Sequence, residues 1–520
     1  MKAVTSQTMQ ELDRTTIEGF GVPGVELMER AGRTCAEIID ARYGIGDDRS
    51  VVVFAGKGNN GGDGFVIARL LHDMGWNVTL LHHGGRDAVR GDALVNLQKV
   101  PQGVVQRDAA AESGPGIDEL LAGATIVVDA LLGTGLKSEV TGIYASSIAR
   151  MNASDRPVVA VDIPSGVDAT SGRILGMAVQ AELTVTFALA KLGHILYPGT
   201  AYTGELLVTD IGIPGELAAA APGVEYFDVA RAAATIRRRS RVCHKGDNGH
   251  SLIIAGSTGK SGAAAMAANS AMRSGAGLVT LAVPESIHAI LEMKSTEAMT
   301  VPLGDNGSGA LSPAALPRIM DLLPGRDVVA IGPGVGQSGE AWRVVREIAA
   351  TVRVPLVMDA DALNAVAGQR DVIRTSPSPA VVMTPHPGEM SRLAGVTVAE
   401  VETDRLAAAE RFAKDNGVYL VLKGARTVVA APDGRLAVNS SGNPGMASGG
   451  MGDVLTGVIT ALLAQGYEPF AACCLGVYCH GAAADMVARD KGEIGLIATD
   501  VQEMLPYVFK MLTERRHADA

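Results

Sequence analysis

Short, almost unbroken apolar runs, each closing in a glycine- or acid-bearing turn, recur along this chain and restrict it to one kind of architecture. Ser50–Ala55 runs into Gly56-Lys57-Gly58-Asn59-Asn60-Gly61-Gly62-Asp63-Gly64, with a helix predicted from about Phe65. Thr125–Ala130 carries Asp129 near its end and is followed by a second glycine turn at 133–139, and Val158–Asp162 leads into Ile163-Pro164-Ser165-Gly166. In the second half, runs at 251–255, 328–331, 356–359, 381–384 and 419–422 end in turns of the same kind. Apolar runs without polar alternation are those a parallel sheet buries on both faces. The 63 glycines suit the many strand-to-helix turns this requires. The predicted class is α/β, with two parallel sheets whose carboxyl rims are polar.

A chain of 520 residues exceeds one ordinary core. The pattern fades at 215–240, where an Ala/Pro/Gly stretch gives way to Ile236-Arg237-Arg238-Arg239-Ser240-Arg241. This predicts domains at 1–215 and 241–515 joined by a linker at 216–240. The net charge of −11 excludes a general nucleic-acid surface, and four arginines in a solvated connector do not reverse that. A phosphorylated ligand must therefore be held by local devices: amide nests, helix ends and a few lysines. The five cysteines form no regular framework, which fits a reducing cytosol. Cys473, Cys474, Cys479 and His480 could suggest a metal cluster, but 471–487 reads as one helix whose small residues suit packing. No signal-peptide h-region follows Met1, and no apolar run reaches the ~18–20 residues that span a bilayer. A soluble, cytoplasmic protein is expected.

The glycine turns point to phosphate. Gly442-Asn443-Pro444-Gly445-Met446-Ala447-Ser448-Gly449-Gly450-Met451-Gly452-Asp453 precedes the apolar run Val454–Leu463. Its glycines thus sit at a helix N-terminus, where free amides attract anions. Asp453, in the first helical turn, either takes a proton from a hydroxyl that attacks phosphorus or merely caps the helix. Gly56, Gly58 and Gly61 satisfy G-x-G-x-x-G, but the strand 77–81 ends in His82-His83 without the acid a dehydrogenase needs. Gly259-Lys260-Ser261 resembles the end of a Walker A loop, yet Ile254 stands where its first glycine belongs. On the first rim, three strands bring Asn59, Asn60 and Asp63, then Asp129 and Lys137, then Asp162 and Ser165 together. The oxygen donors Asn60, Asp129 and Ser165 suit a hard cation. His386 is held between two prolines, which favours a positioned contact.

With GNNGGDG at Gly58–Gly64, GTGLKSE at Gly133–Glu139 and DIPSG at Asp162–Gly166, the first half resembles the NAD(P)H-hydrate epimerase domain, a Rossmann-like three-layer α/β/α sandwich. The second half is similar to the ADP-dependent NAD(P)H-hydrate dehydratases of the ribokinase-like superfamily. It shares KGDNGHSLIIAGSTGKSGAAAMAA from Lys245, GPG at Gly332, DADALN at Asp359, TPHPGE at Thr384, KGART at Lys423 and NPGMASGGMGD at Asn443. The resemblance implies that Asn59, Asn60, Gly61, Gly62, Asp63, Gly133, Thr134, Gly135, Leu136, Lys137, Ser138, Glu139, Tyr144 and Asp162 hold the hydrated dinucleotide. Asn60, Asp129 and Ser165 would bind potassium. ADP, accompanied by Mg2+, would lie on Lys423, Gly424, Ala425, Arg426 and Thr427, and on Asn443, Pro444, Gly445, Met446, Ala447, Ser448, Gly449, Gly450, Met451 and Gly452. Gly334, His386, Pro387, Gly388, Glu389, Met390, Ser391, Arg392 and Asp453 would contact the hydrate.

The chemistry that fits is repair of reduced nicotinamide dinucleotide hydrated across C5–C6. Asp453 would start phosphoryl transfer from ADP to the C6 hydroxyl, turning a poor leaving group into phosphate. Asp162 is the candidate acid/base for interconverting the R and S forms at C6, with Lys137 near the pyrophosphate or the hydroxyl. The expected partners are hydrated NADH or NADPH and ADP, with neither nucleic acid nor membrane, and a homo-oligomer is expected. The other reading is a ribokinase-like small-metabolite kinase fused to a non-catalytic dinucleotide-binding module.

Overall fold

Along Ser50–Ala55, Val51, Val53 and Ala55 pack into one apolar cluster while Val52 and Phe54 pack into another. Successive strand side chains point to opposite faces, so a run that is apolar throughout must be covered twice. Helices on both faces do this, and they set the layers of the first unit. The computed structural model describes residues 1–46 and 48–518. They divide into two compact units, Lys2–Val224 and a second beginning at Glu225.

The first unit contains β1 (Lys2–Val4), β2 (Ser50–Ala55), β3 (Asn77–His82), β4 (Val105–Asp108), β5 (Ile126–Ala130), β6 (Val158–Val161), β7 (Leu183–Phe187), β8 (Ala190–Lys191) and β9 (Glu205–Thr209). Seven of them form one sheet in the order β4-β3-β2-β5-β6-β7-β9, and every pairing is parallel. β1 and β8 are not part of this sheet and pair with each other in parallel. β2, β3, β5 and β6 stand where the apolar runs predict strands. β1, β4, β7, β8 and β9 were not predicted; the edge strands β4 and β9 are partly exposed and lack the continuous apolar signal. Helix α1 (Ser6–Phe20) starts where Thr5 accepts a hydrogen bond from the Thr8 amide and stops at the left-handed Gly21. Helices α2 (Gly24–Tyr43) and α3 (Asn59–Asp73) follow, and α3 begins inside the glycine turn rather than at Phe65.

The second sheet uses β10 (Val224–Phe227), β11 (His250–Ile254), β12 (Leu278–Pro284), β13 (Met299–Leu303), β14 (Val328–Ile331), β15 (Leu356–Met358), β16 (Val381–Met383), β17 (Tyr419–Leu422), β18 (Val428–Ala430) and β19 (Leu436–Asn439). Their order is β13-β12-β11-β14-β15-β16-β17-β18-β19-β10. The ladder is parallel except around β18, which runs antiparallel to both β17 and β19. The stretch 216–240 is not an unstructured connector. Gly215–Ala220 is helical, Glu225–Phe227 pairs with Ala437–Asn439, and Val229–Thr235 forms a helix capped by Asp228. Its arginine run is partly packed as well, since the Arg237 guanidinium lies 4.6 Å from the Tyr467 ring centroid. The pairing partners stand some 200 residues away, so no local pattern announces them.

Three further helices cover one face: α4 (Ser261–Arg273), α5 (Met451–Ala464) and α6 (Pro469–Lys491). Contrary to the sequence reading, α6 is long and apolar enough by composition to cross a membrane, but 83% of its most apolar window is buried inside the protein. Cys473, Cys474 and Cys479 lie buried in the same apolar cluster as α5. α4 and α5 touch where Gly457 has no side chain; a Cβ there would fall 2.2 Å from the Ala267 carbonyl oxygen. Gly457→Ala is expected to lower stability by about 2 kcal/mol despite its better helix propensity, because the helices must part. Urea unfolding of the full chain measures this.

Candidate active sites

β2, β5 and β6 are neighbours in the sheet, so their carboxyl ends deliver the three sequence-read turns side by side. They open on a cavity of about 730 Å³ lined by Asn59, Asn60, Asp63, the whole stretch Gly133–Ser138, Tyr144 and Asp162. Gly61, Gly62 and Glu139 do not line it. Gly61 instead packs beneath the turn, where a Cβ would stand 1.9 Å from the Gly56 carbonyl oxygen. Glycine is required there for α3 to begin so close to the strand end. The Tyr144 hydroxyl donates to the His83 carbonyl at 3.3 Å.

Asp129 and Ser165 sit just below the cavity and are fully buried. The Ser165 hydroxyl donates to one Asp129 oxygen at 2.6 Å, and its amide donates to the other at 2.8 Å. Burial pushes the Asp129 carboxyl up to about 6, against these hydrogen bonds. Among the described residues Asp129 has no ion-pair partner, and both amide atoms of buried Asn60 lack a hydrogen bond. Asn60 packs on Gly133, whose Cβ position lies 3.2 Å from the Asn60 Cβ. An orphan amide oxygen near a buried carboxylate is a donor set that fits a hard cation.

The cavity also holds residues that sequence reasoning missed. Lys191, at 1% exposure, donates to Asp162 at 2.5 Å, to the Thr186 hydroxyl at 2.8 Å and to the Phe187 carbonyl at 3.3 Å. The Asp162 backbone has a φ of 65°, and its carbonyl contacts His194 Nε2 at 2.9 Å. Burial opposes charge on Asp162, but the Lys191 ammonium outweighs it and holds the carboxyl below its ordinary range. Asp13 lines the same cavity from α1 together with Met9 and Ile17, at helical spacing. That spacing was the available signal for Asp13; for Lys191 it was a lone cation inside an apolar stretch.

In the second unit, Asp453 enters with the first turn of α5, whose N-terminus follows the left-handed Gly450 and has no side-chain cap. Among the described residues the Met451, Gly452 and Asp453 amides therefore have no capping partner, and they can receive an anion. Upstream, Asp485 fastens the loop by accepting from the Gly442 amide and from the Asn443 side chain, each at 2.9 Å. Beneath lies Asp359, at 1% exposure, with three donors gathered on it. Lys423, Thr384 and Thr456 each come within 2.8 Å of its oxygens. Lys423 also stands 3.9 Å from Glu389. Burial works against the Lys423 charge, yet Asp359 and Glu389 raise its pKa above the usual lysine value. Burial and the Asp359 carboxylate push Asp453 up to about 7, against the pull of Lys423.

Gly334, with φ 66°, accepts the Ser257 hydroxyl on its carbonyl, and Lys260 pairs with Asp361 at 2.8 Å. His386 accepts the Gly388 and Glu389 amides on Nδ1, so its ring caps the helix Pro387–Ala394. Arg392 donates to Asn364 at 2.8 Å, while Met390 is buried under the loop at 1% exposure. Arg426 donates to the Ser440 carbonyl, tying the 423–427 loop to the 440–442 strand end.

Fold and sites together define a two-domain α/β enzyme, with an uncapped helix N-terminus among the polar groups of its second unit. Residues 251–507 match the family described as NAD(P)H-hydrate dehydratase, and residues 24–193 match YjeF-related protein N-terminus. The bifunctional NAD(P)H-hydrate repair enzyme Nnr of Moorella thermoacetica is 43% identical over 99% of this chain and 98% of its own. That of Escherichia coli is 36% identical over 98% and 94%. A crystal structure of the ADP/ATP-dependent NAD(P)H-hydrate dehydratase from Bacillus subtilis, 31% identical, covers 56% of this chain and 99% of that one with a TM-score of 0.49. The chain belongs to the family of bifunctional NAD(P)H-hydrate repair enzymes.

Lys423→Met strands Asp359 without its cation, and a stability loss of about 3 kcal/mol is expected in urea unfolding. The loss should halve or better in the double variant Lys423→Met/Asp359→Leu.

Proposed function

We propose that the first unit interconverts the R and S forms of hydrated NADH and NADPH at C6, and that the second dehydrates the S form, converting ADP to AMP and phosphate. The observation that carries the second half is Asp453, half-buried at an uncapped helix N-terminus beside Lys423, with its pKa raised to about 7 by its surroundings. A base poised near the working pH transfers protons efficiently.

In this reading ADP lies along Lys423–Thr427 and Asn443–Gly452, with its terminal phosphate on the free amides of α5. Gly334, His386–Arg392 and Asp453 face the hydrate. Asp453 takes the proton of the C6 hydroxyl as that oxygen attacks the β-phosphorus, and AMP departs. The amides stabilise charge developing on the transferred group, a contribution of about 3 kcal/mol per well-aimed donor in comparable sites. The lone pair of the ring nitrogen then expels phosphate, and loss of a C5 proton restores the double bond. Magnesium would travel with the diphosphate. Asp359 and Asp361 have their oxygens committed to Lys423, Thr384, Thr456, Lys260 and Gln337, so ADP itself would supply ligands.

In the first unit the dinucleotide lies over Asn59, Asn60, Asp63, Gly133–Ser138 and Tyr144, with Asp162 as the acid/base at C6. Potassium, held by Asn60, Asp129 and Ser165, would offset the buried Asp129 charge and fix the turn after β5 against α3.

Two outcomes are expected. Asp453→Asn should keep ADP affinity within about threefold and lose turnover by about 1000-fold or more, read by chiral separation of both hydrates after incubation with ADP. Near-normal turnover would remove Asp453 from this role. In the wild type, dehydration kcat/KM should rise about tenfold per pH unit below about 7 and level off above it, since only ionised Asp453 accepts the proton.

A further inference from the structure

Away from solvent the first cavity presents three carboxyl groups, Asp13, Asp63 and Asp162, and one buried ammonium, Lys191, while Asp92, Lys57 and Lys137 line it as exposed side chains. All three Lys191 donors are spent on Asp162, Thr186 and the Phe187 carbonyl. Lys191 therefore has no proton left to offer a substrate. Thr186 donates to the same Asp162 oxygen at 3.0 Å, which leaves Oδ2 as the Asp162 atom without a hydrogen bond among the described residues. Asp63 and Asp13 receive neither an ion pair nor a hydrogen bond on their carboxyl groups among the described residues, although both line the cavity.

We propose that Lys191 is the positioning residue that commits Asp162 to act as the base in C6 epimerisation, leaving Asp63 as the acid that holds the proton. This rests on the reading of the cavity as the epimerase site with Asp162 at C6.

One ammonium neutralises one carboxylate, and the remaining two cannot both ionise cheaply in a shared cavity. Burial and the carboxylates of Asp162 and Asp13 push Asp63 well above the usual carboxyl range, which favours its protonated form. Asp13, raised by burial to about 6 against the pull of Lys191, is the group between the two. The other buried titratable neighbours are neutral: burial and Lys191 push His194 down to about 3, and burial pushes the Cys35 thiol up; Lys57, Asp92 and Lys137 lie at the exposed edge of the cavity.

The hydrate is a carbinolamine at C6. Asp162 takes the hydroxyl proton as the C6–N1 bond breaks; its electron pair passes to N1, which takes the Asp63 proton. The opened ring carries an aldehyde at C6. Rotation about C5–C6 presents the other carbonyl face. Re-closure returns the N1 proton to Asp63 and the Asp162 proton to the new hydroxyl. The cycle consumes nothing, and both carboxyl groups end as they began.

The test uses the full chain without ADP, with epimerisation followed by chiral separation from pH 4.5 to 8 after subtracting the uncatalysed rate. In Lys191→Met the acid limb of kcat should move up by about one to three pH units, with KM changed less than about threefold. Lys191→Arg, which keeps the charge, should leave the limb in place. A fall in kcat that is equal at every pH would reduce Lys191 to a structural role and overturn the proposal. Should Lys191→Met not fold, Thr186→Val removes one donor from Asp162 and should move the limb the same way by less; no movement overturns it equally. Asp63→Asn should lose about 100-fold in kcat or more, and retention of over about a tenth refutes Asp63 as the acid. Near-normal epimerisation by Asp162→Asn instead refutes the underlying reading of Asp162, whatever the Lys191 variants do.

Discussion

Each unit of this protein places more carboxyl groups than cations at the buried carboxyl rim of a parallel sheet. In the first, Lys191 answers Asp162 and leaves Asp13 and Asp63 to share what remains. In the second, Lys423 answers Asp359 and leaves Asp453 beside it. A carboxylate out of water and out of reach of a cation gives up its charge more readily than its position. The shortage of cations is thus what creates groups able to move protons near neutral pH. Adding a lysine to either rim would stabilise the fold and remove that poise.

The backbone supplies what the side chains cannot. Net charge is −11, so a dinucleotide or diphosphate meets an unfavourable overall field. Amides at the start of α5 and in the turn leading into α3 offer partial positive charge without adding a titratable group. Glycine makes this possible by close approach: Gly61 lies almost on the Gly56 carbonyl, a position no Cβ tolerates. Fastening is done from the side, by Asp485 below the 443–446 loop and by Arg426 on the Ser440 carbonyl.

Stability and chemistry draw on the same buried groups. Asp359 is satisfied by Lys423, Thr384 and Thr456 and serves as a fixed negative charge under Asp453. Asp129 plays the matching part in the first unit, with Ser165 as its internal donor and orphaned Asn60 close by. His386 shows the same economy: its ring caps a helix and so holds the 386–392 loop in shape.

Much of the fold was legible in the sequence. Continuous apolar runs located β2, β3, β5, β6, β11, β14, β15, β16 and β17 because burial on both faces is written into each strand itself. The glycine turns told where the rims lie, since they follow the strands directly. Edge strands such as β4 and β9 were lost because one exposed face erases the run. β10 was lost because its partner β19 lies far along the chain. For the sites, Asp162 and Asp453 could be read from their turns, but Asp13 and Lys191 carry no motif. Lys191 reaches Asp162 across 29 residues and Lys423 reaches Asp359 across 64. What the sequence determined alone was the set of strands, turns and amide nests, all local consequences of side-chain period and glycine. Only the tertiary structure decided which carboxyl meets a cation and which does not. Charge pairing depends on distance in space, and folding sets that distance from parts of the chain that know nothing of one another.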